Sequence, residues 1–175
     1  MRRAVPDRAA LEESRRECNG RTANLFEFAS IKCEYVPEGI TPLTVVSHPE
    51  PGTIVRVDLS QGFRAPEMVK RRPAIVLSPP IPGRPQLCTI TPLSTSRPTI
   101  VLRHHMEIAF DPVLPSPYDS PRMWVKGDIV LTVAFHRLRL LFAEWSDGQR
   151  LYDVRILDAA TMDRVRDCVR AGIGL

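Results

Sequence analysis

A mainly β fold, a small bent sheet or barrel with a C-terminal helix, is what this sequence predicts. Three observations carry it. Short apolar runs with two-residue alternation recur between residues 53 and 157, the period of half-buried strands. Proline and glycine clusters separate them, and 17 prolines in 175 residues leave little room for long helices in the middle of the chain. Only the last segment changes to a helical period, with Met162, Val165, Cys168 and Val169 on one side.

Residues 7–18 predict a short polar helix with Asp7 as its N-cap, and 35–52 a proline-punctuated lead-in. We take 1–50 as an N-terminal extension, partly disordered apart from that helix, and 51–175 as the domain. Segment 53–59 alternates Ile54, Arg56 and Asp58 against Val55, Val57 and Leu59. Residues 60–71 have no periodicity and form a polar loop. Segments 74–77 and 87–93 are strands joined by the turn-rich PPIPGRP, and 99–103 and 106–110 make a further pair. Four prolines within 111–122 demand a loop. Strand character returns at 124–133 and 138–142, and alternation over 135–140 sets Arg137 and Arg139 on one face. DGQ at 147–149 signals a hairpin leading into 152–157. Asp158 caps a helix over 159–171 that Gly172 is placed to end.

The net charge of +4 is concentrated in one place. Residues 1–50 carry 7 basic and 8 acidic side chains, 51–110 carry 8 and 3, and 111–175 carry 9 and 9. A local excess of this kind suits a polyanionic partner. Cys18, Cys33, Cys88 and Cys168 stand far apart with no C-x-x-C pair, against a zinc site or a disulfide framework and in keeping with a reducing cytoplasm. The basic N-terminus has no apolar core behind it, and no run reaches the length of a membrane span. We expect a soluble, cytoplasmic protein with no membrane partner.

The positive segment also holds the densest chemistry. From Glu67 it runs through Lys70, Arg71 and Arg72 to Pro73, then through two apolar strands to the hydroxyls of Ser94 and Thr95. A carboxylate, a guanidinium and a hydroxyl at neighbouring strand ends can bind a phosphate and move protons around it. Arg72 is the first candidate, since guanidinium binds phosphate through two parallel bonds and Pro73 restricts its backbone. Lys70 and Arg71 are solvated or phosphate-tracking residues, and Thr95 serves a phosphate or caps the turn. Glu67 and Asp128 are both candidates for a general base, Asp128 with Lys126 as its partner. Phe63 suits base stacking, whereas Trp124 reads as core. His104 and His105, adjacent in a strand, point to opposite faces and so do not chelate one ion.

PGTIVRVDL, a polar loop with Glu67, KRRPAIVLS and ITPLST occur in that order, followed by WVKGDIVLTVAFHRL, where a basic residue, a spacer and Asp precede a Thr and R-L. In this combination the chain resembles the MazF/PemK (Kid) toxins of bacterial toxin–antitoxin pairs over about residues 51–172. The resemblance implies a small SH3-like β-barrel with a C-terminal α-helix, of the CcdB/MazF type, assembled as a homodimer. It implies sequence-selective endoribonuclease cleavage of single-stranded RNA, mRNA included, restrained by a cognate antitoxin. It favours Ser94 as the hydroxyl that serves the phosphate. Residues 1–50 have no counterpart in short members; Ser94, then Thr95, stands where many carry a strand-end Thr; and Lys126 stands where some have Arg.

RNA carries its own nucleophile, the 2′-hydroxyl. Cleavage needs a base, donors for the phosphorane oxygens and an acid for the leaving oxygen. Attack is intramolecular, so we expect neither a metal nor another cofactor. The expected partners are single-stranded RNA, an acidic antitoxin that covers the basic face, and a second copy of the chain. The rival readings are a CcdB-like inhibitor that binds gyrase without catalysis, and an RNA-binding barrel that cuts nothing.

Overall fold

A computed structural model describes residues 31–33 and 45–175. The helix expected over 7–18 and most of the lead-in lie outside these residues. The described elements are β1 (Ile31–Cys33), β2 (Ile54–Asp58), β3 (Arg71–Val76), β4 (Leu87–Ser94), β5 (His105–Ala109), β6 (Arg122–Lys126), β7 (Leu131–Ala134), β8 (Leu138–Arg139), β9 (Leu141–Ser146), β10 (Gln149–Arg155) and the helix α1 (Ala159–Ile173). The expectation of a mainly β chain with a C-terminal helix holds.

Every strand pairing is antiparallel. The smaller sheet runs β1-β10-β9; the larger runs β5-β6-β4-β3-β2-β8, with β7 also on β4. β4 is the pivot. One edge pairs with β3, while the other pairs with β7 through Leu87–Ile90 and with β6 through Leu93 and Ser94. The path of the larger sheet is open, ending at β5 and β8, and a bridge between Thr53 and Ile156 ties the two sheets together.

Alternation along β2, β3 and β4 feeds two cores, one on each side of the larger sheet. Ile54, Ile75 and Leu93 join Met106, Ile108, Met123 and Val125 in a core that receives Met162, Val165 and Cys168 of α1. Val55, Val57, Ala74, Val76, Cys88 and Ile90 face the opposite way, where Val45, Val133, Phe135 and Leu138 close a second core. Phe63 and Met68 of the 59–70 loop pack on this second core. Burying such side chains contributes roughly 1.5–3 kcal/mol each, so both faces of the central strands hold the register.

Several strand ends differ from expectation, each for a local reason. Segment 99–103 is not a strand: Ile100, Val101 and Leu102 are exposed, and the Leu102 carbonyl accepts the His105 amide at 2.9 Å. A turn consumes the groups that a ladder would need. The continuous strand expected over 124–133 breaks into β6 and β7, so Asp128 lies in an exposed turn rather than within an apolar strand. Residues 135–137 form a 3-10 turn, so alternation does not apply and Arg137 and Arg139 part company. The DGQ hairpin is present, with Asp147 and Gly148 both at positive φ, as a tight two-residue turn requires.

Asp158 caps α1 by accepting the Thr161 amide at 2.8 Å. Gly172 does not end the helix; Gly174 does, at φ 80°. Gly172 instead lets the helix touch the β6–β7 turn, where a Cβ on it would collide with the Gly127 backbone. A Cβ on Gly127 would lie 2.6 Å from the Cys168 carbonyl oxygen. Helix propensity alone predicts that Gly172→Ala stabilises by up to about 1 kcal/mol. The backbone contact reverses the sign: we expect a loss of about 1–3 kcal/mol in urea denaturation. A raised midpoint would show that helix and turn are not in contact.

Candidate active site

β3 and β4 pair at Ala74–Pro92, Ile75–Thr91 and Val76–Ile90. Following the same register two residues further along each strand sets Arg72 opposite Ser94, on the face of Ala74 and Pro92. Ser94 pairs with Trp124 of β6, Trp124 with Glu107 of β5, and Lys126 with His105. Cross-strand partners share a face. One polar face therefore carries Arg72, Ser94, Trp124, Lys126 and His105, while Leu93, Val125 and Met123 fill the helix-side core behind it.

Arg72 is half-buried, and its Nε is enclosed with no hydrogen-bond partner among the described residues. Ser94 is 6% exposed, and its Oγ accepts the Ser96 amide at 3.2 Å. That bond uses a lone pair and leaves the O–H to donate elsewhere. Thr95 is exposed beside it. Trp124 is half-buried on this outer face with the Arg97 guanidinium 5.9 Å from its ring centroid, not in the core as expected. RMWVK carried the signal: Met123 and Val125 point inward, so Trp124 points out.

Glu67 lies in an exposed turn where Oε2 accepts the Arg64 amide at 2.8 Å. Lys70 is exposed at the foot of β3. Phe63 is half-buried, its ring 5.4 Å from the Arg137 guanidinium, which also donates to the Gln61 carbonyl at 2.8 Å and the Asp58 carbonyl at 3.3 Å. Arg137 thus pins the loop, and the Phe63 face turned to it is occupied.

Asp128 meets two residues that alternation had separated. Ligand-type atoms of His104, His105 and Asp128 all lie within 4.8 Å of one another, and the two imidazole centroids are 4.2 Å apart. β5 starts at His105 and His104 belongs to the preceding turn, so opposite-face geometry does not govern the pair. His105 Nδ1 accepts the Leu102 amide at 3.1 Å, which leaves the proton of the neutral ring on Nε2. Burial first, then the electrostatic influence of His104 and Lys126, holds His105 below the ordinary imidazole value. These three are the described residues that could hold a metal ion, although Lys126 sets a positive charge beside them.

Arg71 is engaged elsewhere: its Nε reaches Asp58 Oδ2 at 2.7 Å across the β2–β3 pair, on the helix-side face. The Asp58 carboxyl is held at about 2, chiefly by the Ser60 hydroxyl at 2.5 Å and also by Arg71.

A family model described as PemK-like, MazF-like toxin of type II toxin–antitoxin system matches residues 50–173. Among solved structures, an endoribonuclease from Mycobacterial species is 21% identical, with 75% of this chain and 96% of that one covered and a TM-score of 0.44. An endoribonuclease in complex with its cognate antitoxin, also from Mycobacterial species, is 22% identical over 73% of this chain and 96% of that one, with a TM-score of 0.43. MazF from Deinococcus radiodurans is 19% identical over 73% and 98%, with a TM-score of 0.44. No curated protein sequence matches the chain.

The Asp58 pairing gives a direct test. Its folded value lies below the ordinary 3.8, so its stabilisation is complete above the unfolded value and is lost as pH falls through about 2. Ser60→Ala should raise the Asp58 pKa toward 3.8 in a carboxyl NMR titration. An unchanged value would assign the depression to the Ser60 amide, which the variant keeps, and to Arg71.

Proposed function

Since the chain belongs to the PemK-like, MazF-like family of type II toxin–antitoxin toxins, we propose that it is an endoribonuclease that cuts single-stranded RNA on the Arg72–Ser94 face. The observation that carries this reading is the shared face itself. Continued two residues past its last pair, the β3–β4 register sets on one face a hydroxyl free to donate and a guanidinium whose enclosed Nε has no partner among the described residues. Next to them is a tryptophan lying under a second guanidinium. Phosphate binds Arg72 through charge-assisted bonds, Ser94 donates to a phosphoryl oxygen, and Trp124 with Arg97 offers a surface for a base. As the 2′-oxygen attacks, negative charge builds on the phosphorane oxygens in reach of Arg72.

For the base, Asp128 is better placed than Glu67. One Glu67 oxygen accepts the Arg64 amide, whereas Asp128 has His104 and His105 ring nitrogens within 4.8 Å to share in moving a proton. Lys126, next along the face, tracks the phosphate chain, with Lys70 and Thr95 at the margin. In this reading the two bridged sheets correspond to the SH3-like barrel of the family, residues 51–175 are the domain and 1–50 an extension. The protein works in the cytoplasm as a homodimer with an acidic antitoxin as its restraint, a partner suited to the basic excess of residues 51–110.

Purified protein incubated with single-stranded RNA in EDTA should yield cleaved RNA with cyclic phosphate ends. Arg72→Ala should slow cleavage about 10²–10³-fold with an unchanged circular dichroism spectrum. RNA bound but left intact would favour the silent RNA-binding barrel. Neither binding nor cleavage, with arrested replication on induction, would favour the gyrase inhibitor.

A further inference from the structure

The β9–β10 hairpin builds a cavity that the Arg72–Ser94 face does not use. It holds about 190 Å³ and is lined by the arginines Arg56, Arg139 and Arg150 and the aromatic rings of Phe142, Trp145 and Tyr152. Its construction is specific. The β2–β8 pairing sets Arg56 directly opposite Arg139, where like charges repel. No ion pair with a carboxylate engages any of the three arginines among the described residues. Arg139 is fixed by donating to the His136 and Leu138 carbonyls at 2.7 and 2.9 Å.

The aromatic side arises from an irregularity in the ladder. Tyr152 faces Phe142 while Leu151 faces Glu144, so Ala143 is an extra residue in β9. The bulge shifts the phase of alternation and brings Phe142 and Trp145 to one face, ring centroids 6.1 Å apart. Tyr152 packs 6.2 Å from Phe142, and the Arg150 guanidinium lies 5.0 Å from the Trp145 ring. Trp145 is nonetheless 60% exposed and Phe142 39%.

Positive charge with no paired carboxylate among the described residues calls for an anion, and exposed flat rings call for a planar partner. A nucleotide has both. The cavity with the exposed rings at its rim suits one splayed nucleotide, not a duplex, in which the bases are stacked inside. We propose that this cavity is a second RNA subsite, in which Trp145 and Phe142 stack one unpaired base while Arg56, Arg139 and Arg150 hold its phosphate. It rests on the reading of the protein as an RNA-binding toxin and assigns that RNA a contact outside the Arg72–Ser94 face, on the other side of β2 and β3, where Arg56 pairs with Pro73.

The test uses the full chain and a fluorescein-labelled random-sequence 2′-O-methyl RNA 12-mer, which cannot undergo 2′-hydroxyl attack. Trp145→Ala should weaken binding about tenfold. Arg139→Ala should weaken it and reduce the slope of log affinity against log salt by about one. Arg170→Ala, which removes an exposed cation paired with Asp167 on α1, should change affinity less than twofold. The proposal is overturned if both cavity variants bind within twofold of the parent, or if Arg170→Ala loses as much as Arg139→Ala. It is also overturned if uridine monophosphate or polyglutamate quenches Trp145 while the cavity variants keep their RNA affinity. Those two results would assign the cavity to a free nucleotide and to an acidic protein segment, respectively. Cleavage of unmodified RNA is measured alongside. Cleavage by the parent with unaltered binding by the variants would remove the subsite and keep the ribonuclease. Loss of binding in the variants with no cleavage by the parent would do the reverse.

Discussion

Register along β2, β3 and β4 is the constraint on which everything else depends. Each of these strands is apolar on both faces, and the sheet divides the side chains between a helix-side and a loop-side core. A slip of one residue would exchange the two sets and carry Arg72 and Ser94 toward the helix. Polar groups would then be buried without partners, at a cost of several kcal/mol. Hydrogen bonding along the ladder would survive such a slip, so burial on both faces decides the register. The polar face is its by-product, formed where β3 and β4 outrun their pairing and core side chains give way to Arg72 and Ser94.

Arginine does two kinds of work on this frame. Arg137 and Arg139 donate to main-chain carbonyls and hold turns in place. Arg71 and Arg155 neutralise Asp58 and Asp153, the latter pair almost fully buried. Burial raises Asp153 above the ordinary carboxyl value while Arg155 pulls it down. Arg72 and Arg155 each have an enclosed Nε with no acceptor among the described residues, but Arg155 is held by Asp153 and the Pro112 carbonyl. At Arg72 the cost is one that an arriving acceptor would recover. Guanidinium has five donors, so one such side chain can be anchored and still present hydrogens to a ligand, as Arg139 does at the hairpin cavity.

Much of this was legible in the chain. Alternation in TIVRVDL separates the two faces of β2 correctly, RMWVK carried the same signal although Trp124 was expected in the core, and the proline clusters mark the long loops. Asp158 as cap and the Asp147–Gly148 turn follow from local chemistry alone. That Arg72 and Ser94 share a face could be suspected from their places at successive strand ends. Features that depend on an irregularity were hidden. His104 and His105 converge because a strand begins between them, and Phe142 and Trp145 converge because Ala143 bulges. A period of two says nothing of where the period starts or slips.

By itself, then, the sequence determined the fold class, the strand faces and the location of the basic excess, since each of these is set by neighbours within a few residues. Tertiary structure alone decided which groups meet. Only the docking of α1 shows that Gly172 is needed for contact with Gly127 rather than to end the helix. Only the register across β3, β4 and β6 puts Trp124 beside Ser94. Only the crossing of β2 with β8 and the bulge in β9 assemble three arginines and three aromatic rings around one cavity. Local propensity fixes the direction of a side chain, but its partner is chosen by packing between segments far apart in the chain.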